Sequence, residues 1–336
     1  MFEPVISVVL VTWNNGVYLR HCLKRLSRQT FRNFELIIVD NGSTDSYSST
    51  DQLERKWKEL PICIKYLKTN KGFAVANNIG ARLARGQWLA LLNADAFPEP
   101  DWLEHLLEVA ETFPNAFFAS RQIQANAPEF LDGEGDVYHI SGLGWRRNYG
   151  LPVKKKSEIE EIFSPCAAAA LYPRQAFLDV GGFDEDYFSY HEDVDLGFRL
   201  RLKGLRCFFV PQAVVYHVGS ASTGKHSDFA IYHGHRNLVW TYVKNMPALL
   251  LWAFLPLHLA ANLLTMIKFF LTGHGNAIWR AKLDAAKGIG LMTHKRRKIQ
   301  LNRQVTVAAI YRVMDHGLFA PLAASLLRRH YGTNRE

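Results

Sequence analysis

The chain opens with apolar runs of strand length, each ending in polar, turn-forming residues. Ile6 to Val11 is β-branched and stops at Thr12-Trp13-Asn14-Asn15-Gly16. From about Val17 to Arg28, Leu19, Cys22, Leu23 and Leu26 fall on one face of a helix. Glu35 to Val39 is a second apolar strand, followed by Asp40-Asn41-Gly42-Ser43-Thr44-Asp45. A more polar helix is expected over Asp51 to Glu59, and a strand over Ile64 to Leu67. Thr69-Asn70-Lys71-Gly72-Phe73 opens a helix from Ala74 to about Arg85. Trp88 to Leu92 is apolar at every position, then gives way to Asn93, Ala94 and Asp95, with Pro98 as a stop. A strand without alternation suits the middle of a parallel sheet covered on both faces. The order through Asp95 therefore reads β-α-β-α-β-α-β. It predicts an α/β, doubly wound, mostly parallel sheet with right-handed crossovers.

Beyond Pro98 the period predicts an amphipathic helix over Asp101 to Thr112 and a strand over Phe117 to Ile123. Residues 124 to 162 are Gly-rich and charged, without a long apolar period. They read as an acceptor-facing loop or as a surface insertion. Ser164 to Pro173 reads as a buried strand of small side chains. A glycine-rich turn, Val180 to Glu185, leads to Tyr190-His191-Glu192-Asp193-Val194-Asp195-Leu196 and a helix as far as Gly204. Acids in a first helical turn suit the helix dipole. Glu192, Asp193 and Asp195 exceed what a cap needs, which leaves Asp193 available for chemistry. Arg206 to Val218 reads as a strand broken by Pro211 and ending near His217.

Composition narrows the partners. The 336 residues are 48% hydrophobic and 21% charged, which supports a sizeable core. The net charge of +9 favours an anionic partner such as a nucleotide, a phospholipid surface or nucleic acid. Cys22, Cys63, Cys166 and Cys207 are scattered with no CxxC pair, so neither zinc nor a disulfide framework is indicated, and a reducing compartment fits. The N-terminal residues lead straight into a strand and lack a signal peptide's basic region.

Ligands of open α/β sheets bind beyond the carboxyl ends of the strands, where these polar loops gather. No G-x-G-x-x-G follows the first strand, and no Walker A loop is present. Asp95, with Asn93 two residues earlier, can hold a hard cation such as Mg²⁺ together with substrate phosphates. Asp40 can accept the N3–H of a pyrimidine or bind a ribose hydroxyl. Turn chemistry accounts for the same residues without a ligand.

These motifs, in this order, resemble family 2 glycosyltransferases of GT-A fold. The matching stretches are VVLVTWNN at 8–15, VDNGSTD at 39–45, NKGFAVANNIG at 70–80, LLNAD at 91–95, GGFDE at 181–185, HEDVDL at 191–196 and HVGS at 217–220. The NAD triplet, EDVDL and the later His are most similar to the bacterial rhamnosyltransferase-type branch, which builds cell-surface polysaccharides. The resemblance implies a donor site in which Asp40 contacts the pyrimidine, Thr12 and Asn14 line the base and ribose pocket, and Gly72 and Asn78 shape the rest. It implies that Asp95 and His217 bind Mg²⁺ or Mn²⁺ on the diphosphate, and that Asp193 is the general base. Asn93 stands where many relatives carry Asp, which lowers the charge at the metal. Glu192 and Asp195 are assigned to the acceptor side, Asp195 also being placed to cap the helix or hold a basic neighbour. The implied partners are a dTDP- or UDP-sugar and a lipid-linked saccharide acceptor.

The C-terminal third differs. Ala248 to Leu271 is the most apolar stretch and near the length of about 20 residues that spans a bilayer. Pro256, His258, Asn262 and Lys268 interrupt it, which favours an interfacial helix or a re-entrant hairpin. A basic, helix-like segment runs from Ala277 to Gly290, and His294 to Lys298 with Arg303 forms a cluster suited to anionic lipid. No nucleic-acid motif accompanies it. The expected organisation is a GT-A domain over 1–240 and a helical, membrane-associating region over 241–336, at the cytoplasmic face of a bacterial inner membrane. The rival readings are a nucleotidyltransferase, which lacks its basic Gly-rich loop here, and a silent membrane scaffold.

Overall fold

A computed structural model describes residues 3–45, 57–154, 158–219 and 227–324. Most of the helix expected over Asp51 to Glu59, and Ser220 of the HVGS stretch, lie outside the described residues.

The first strands are β1 (Ile6–Thr12), β2 (Phe34–Asp40), β3 (Ile62–Tyr66) and β4 (Trp88–Asn93). They run parallel in the order β3-β2-β1-β4. Helix α1 (Gly16–Leu26) connects β1 to β2, and α2 (Phe73–Leu83) connects β3 to β4. The expected doubly wound half is present, with boundaries shifted by one or two residues. Val8 and Leu10 of β1 bury with Leu19, Leu23 and Leu26 of α1 on one sheet face. Val9 buries with Ala74 and Ala81 of α2 on the other. Each fully buried aliphatic side chain contributes roughly 1.5–3 kcal/mol, so alternate residues of β1 stabilise opposite layers.

The second half widens the sheet with mixed pairing. It adds β5 (Ala96–Pro98), α3 (Trp102–Thr112) and β6 (Ala116–Gln124). The stretch read as irregular contains β7 (Leu131–Gly133), a separate hairpin of β8 (Asp136–Tyr138) and β9 (Gly144–Arg146), and β10 (Glu160–Glu161). Then come β11 (Ala169–Pro173), α4 (Arg174–Asp179), α5 (Glu192–Leu202) and β12 (Arg206–His217). β11 lies antiparallel between β4 and β6, and β12 runs parallel to β6. The register of β12 shifts between Val210 and Val214, so Pro211 makes a bulge within one strand instead of ending it.

Five helices follow: α6 (Asp228–Asn245), α7 (Ala248–Leu271), α8 (Gly275–Lys287), α9 (Ile289–Leu301) and α10 (Val307–Val313). Residue 240, expected as a domain boundary, lies inside α6. The single basic helix expected over 277–290 is broken at Gly288, where an added Cβ would come within 2.6 Å of the Trp240 indole. The basic cluster is also divided. Lys295 pairs with Asp184 and Asp186, and Arg296 donates to the carbonyls of Val243 and Met246 at the end of α6. Arg297 and Lys298 remain exposed.

Helix α6 fastens the segment that carries the acids. Phe188, Tyr190 and His191 all adopt positive φ, of 64°, 69° and 65°. Such backbone is costly for bulky residues and persists only where neighbours enforce it. Asn237, fully buried on α6, supplies the enforcement: its Nδ2 lies 3.0, 3.0 and 2.7 Å from the carbonyls of Tyr187, Ser189 and Tyr190. Replacing Asn237 by Leu should cost at least about 2 kcal/mol, because buried carbonyls lose their donor. Thermal unfolding of Asn237→Leu against the parent measures it, and an unchanged midpoint would contradict the clamp.

Candidate active site

The strand ends and the α5 N-terminus surround a cleft of about 390 Å³, in the range of small-molecule sites. Its lining includes Asn41, Asn93, Asp95, Asp193 and His217, drawn from both halves of the sheet.

On the β1–β2 side the loops are laced together. Thr12 and Asp40 are register partners at the ends of β1 and β2. Asp40 Oδ1 accepts the Ser43 N–H at 2.9 Å. Asn14, at φ 52°, accepts the Thr44 N–H at 2.8 Å. Asn41, which the sequence reading did not single out, donates to Asn70 Oδ1 at 2.9 Å and accepts the Lys71 N–H at 2.8 Å. Val11, Trp13, Asn15, Asn41 and Gly72 line the cleft, whereas Thr12, Asn14 and Asp40 are not part of its lining. Gly72 has φ +86°, and a Cβ there would lie 2.6 Å from the Phe188 ring. Asn78 is buried within α2 and does not itself line the cleft. It donates to the Phe183 carbonyl and accepts the Phe183 N–H, both at 2.8 Å, and so positions the glycine-rich turn.

At the β4 end, Asp95 and His217 meet as expected. His217 Nε2 lies 3.4 Å from Asp95 Oδ1 and makes no hydrogen bond, although it is buried. His217 Nδ1 lies 2.7 Å from Asp132 Oδ2, and Arg146 grips the same oxygen. Asp132 was missed because it sits in the stretch without periodicity, 85 residues from its partner. Burial alone would push the imidazole down; the carboxylates of Asp132 and Asp95 outweigh it and hold His217 up at about 9. Burial would raise Asp95, but His217 holds it below the usual carboxylate range.

These residues bear on the implied divalent cation. Among the described residues no group of three or more His, Cys, Asp or Glu is arranged to hold a metal ion. Asp95 and His217 supply two donors on one wall, and the unpartnered Nε2 faces the carboxylate. That set fits an ion that takes its remaining ligands from substrate phosphates and water. The Nδ1 contact to Asp132 is the carboxylate–histidine arrangement that orients metal-binding imidazoles.

Opposite lies the α5 N-terminus. Asp193 Oδ1 accepts the Val194 N–H at 2.8 Å, and Oδ2 the Ala167 N–H at 3.2 Å. Burial pushes its carboxyl above the usual range, although those N–H groups and Arg146 pull it back. Glu192 also lines the cleft, and burial and then Asp193 push it well up. Its Oε2 is buried without a partner. Asp195 does not join them. It is fully buried and turned toward α6, with Lys244 at 2.7 Å, Arg199 at 2.7 Å and Asn245 at 2.7 Å. The acceptor-side assignment of Asp195 is therefore overturned, and its expected hold on a basic neighbour is what the structure contains. Residues two apart on a helix face about 200° apart, so the helical period already separates Asp193 from Asp195.

The model of glycosyl transferase family 2 matches residues 7–181. The N-acetylglucosaminyl-diphospho-decaprenol L-rhamnosyltransferase of Mycobacterium tuberculosis is 30% identical over 250 residues, covering 66% of this chain and 78% of that protein. A structure of GalNAc-T7 with UDP, GalNAc and Mn²⁺ superposes with a TM-score of 0.60 at 18% identity, over 72% of this chain and 48% of that one. The mannosyltransferase PcManGT of Pyrobaculum calidifontis, in complex with GDP-Man and Mn²⁺, gives 0.55 at 17% identity, over 100% of this chain and 89% of that one. At such identities the two structures speak for the fold, and the family match spans more than half of the chain. The chain belongs to glycosyl transferase family 2 and is a glycosyltransferase with a GT-A fold.

Proposed function

We propose that the protein is an inverting, metal-dependent glycosyltransferase that moves a sugar from a nucleotide diphosphate to a lipid-linked saccharide. L-rhamnose is the sugar that the mycobacterial relative's name favours, and a dTDP donor belongs to the same proposal. One observation carries the proposal. Asp193 lines the same cleft as Asp95 and His217, although they come from different elements. Asp193 takes the proton from the acceptor hydroxyl, whose oxygen then forms the new bond to the anomeric carbon. The bond from that carbon to the diphosphate breaks, and the configuration inverts. A divalent ion, when bound, neutralises the departing diphosphate as a Lewis acid. Asp95 and His217 would hold it, while Asp132 keeps the imidazole in orientation. Glu192, pushed toward its neutral form, donates a hydrogen bond beside the base. The loops held by Asn14, Asp40 and Asn41 position the nucleotide.

We also propose that the C-terminal helices rest on an anionic membrane surface. Among the described residues α7 is the one helix long and apolar enough to cross a membrane by length and composition. It is one unbroken helix despite Pro256, so the re-entrant hairpin is set aside. Its inner face is fastened to the protein: the Leu251 carbonyl accepts from Tyr242, and His258 meets the Ser141 carbonyl at 2.7 Å. Its outer face leaves Trp252, Leu259, Leu263, Leu264, Ile267 and Phe270 exposed. A helix gripped along one side and apolar on the other suits an interfacial position better than a span.

The base assignment predicts that Asp193→Asn lowers kcat by roughly 10²–10⁴-fold, with donor-diphosphate affinity little changed. A base works only when deprotonated, so the raised carboxyl should move the acid limb of the wild-type kcat profile above the ordinary carboxylate range. Near-native kcat in the variant would refute the role.

The orienting contact predicts that Asp132→Asn weakens Mn²⁺ binding by roughly 10–100-fold. Electron paramagnetic resonance titration with nucleotide diphosphate present reads this without turnover. Equal Mn²⁺ affinity in parent and variant would remove Asp132 from the site.

For the membrane surface, the protein should float with anionic vesicles at low salt. Leu259→Glu combined with Leu263→Glu should reduce the floated fraction severalfold. A parent protein that stays with the soluble fraction would count against this orientation.

A further inference from the structure

A second polar cluster lies behind the cleft, where α6, α7 and α8 meet, and the proposed chemistry does not use it. Lys282 of α8 donates to the His235 carbonyl at 3.1 Å and to Asn262 Oδ1. It forms no ion pair with a carboxylate among the described residues, and burial pushes it down to about 7. His235 of α6 is pushed well down by burial, then by Lys282, His191 and Lys268. His191 is pushed to about 4 by burial, against Asp195, which is already held by Lys244 and Arg199. The Nδ1 atoms of His191 and His235 are buried and without a hydrogen-bond partner. Half-buried bases that disfavour one another's charged forms, with two Nδ1 atoms shielded and unbonded, are a poor stabilising device, because unsatisfied buried groups cost free energy. They are a good receptor for an anion.

Its position indicates which anion. His191 and Gly234 line the cleft that holds Asp193, and a Cβ built at Gly234 meets nothing within 4 Å, so the α6 backbone stays open there. In the other direction, Lys282 is itself half-buried, and Leu259 and Trp279, one turn before Asn262 and Lys282 on the same helix faces, are exposed. The cluster thus lies between a sugar-sized cleft and an apolar surface.

We propose that His191, His235 and Lys282 form a subsite for the diphosphate of a lipid-linked acceptor, with its saccharide in the cleft toward Asp193 and its lipid over the exposed face of α7 and α8. The inference rests on the lipid-linked acceptor proposed above and adds where that acceptor's anionic group sits. The dianion supplies a charged acceptor to Lys282, whose present bonds go to neutral oxygens, and to the two unbonded Nδ1 atoms, and it favours the protonated forms. The subsite also separates two diphosphates, since the donor's belongs at Asp95 and His217.

The experiment measures binding of farnesyl diphosphate by calorimetry in detergent with EDTA present, so that no metal holds a diphosphate on the donor side. Wild type should bind it, and Lys282→Met and His235→Gln should each weaken binding by roughly tenfold. Lys282→Arg should restore most of the affinity. Inorganic pyrophosphate should show the same dependence on Lys282 at lower affinity, whereas farnesol and anionic vesicles should bind both forms alike. Binding of UDP or dTDP with Mn²⁺ should persist in every variant, which reports that they fold. Equal farnesyl diphosphate affinity across the variants overturns the proposal, as does a Lys282→Met protein that also loses the nucleotide. Wild type that binds nucleotide with Mn²⁺ but no farnesyl diphosphate overturns the subsite alone. Wild type that binds neither overturns the donor reading as well.

Discussion

The active face depends on a buried ion network between two helices. Lys244 of α6 reaches both Asp195 and Asp184, with 1% of its side chain exposed against 0% and 8% for the acids. Arg199 closes the set on Asp195. Charges this deep are tolerable only when paired, and removing one partner typically costs about 3–5 kcal/mol. The network fixes how α5 is rotated. With Asp195 locked inward, Asp193 must face the cleft. Through Asn237 the same helix α6 also enforces the left-handed backbone that precedes α5. The glycosyltransferase core and the C-terminal helices are therefore one mechanical unit at the point where chemistry is proposed.

Carboxylates acquire different characters from their surroundings, in the way one fold assigns acid and base roles. Asp95 shares His217 with Asp132 and is held in its charged form. Asp193 and Glu192 sit side by side with little cationic help, and their proton affinity rises. The first arrangement suits a cation or a diphosphate; the second suits proton transfer. The short β8–β9 hairpin matters to both, because it brings Trp145 and Arg146 to the cleft and Arg146 to Asp132.

The C-terminal region is apolar on two sides. Its inner side packs on the sheet domain, with Tyr242, Met246, Leu250 and Ile310 against Tyr138, Phe163 and Phe198, and its outer side leaves large apolar side chains of α7 and α8 exposed. Its basic run is not a uniform lipid patch, because Lys295 and Arg296 are used internally and Arg297 and Lys298 are not.

The sequence by itself determined the longer, strongly periodic elements and the motif positions, because apolar period and turn residues are local properties of the chain; the short strands within 124–162 have no such period. β1 to β4, α1 and α2 fall where the pattern puts them, and the placement of Asp95 and His217 at strand ends and of Asp193 at a helix start was legible in the motif order. The helical period even contained the answer for Asp195. What only the tertiary structure decided is which distant groups meet. Asp132 faces His217, Asn237 clamps residues 187–190, Lys244 pairs with Asp184 and Asp195, and Lys282 meets Asn262 and the His235 carbonyl. Asn78 bonds the Phe183 backbone, 105 residues away. Such pairings carry no local signal, since a carboxylate in a Gly-rich run looks the same whether it meets water or a buried imidazole. They are set by sheet order and helix rotation, where desolvation makes an unpaired charge costly enough to select its partner.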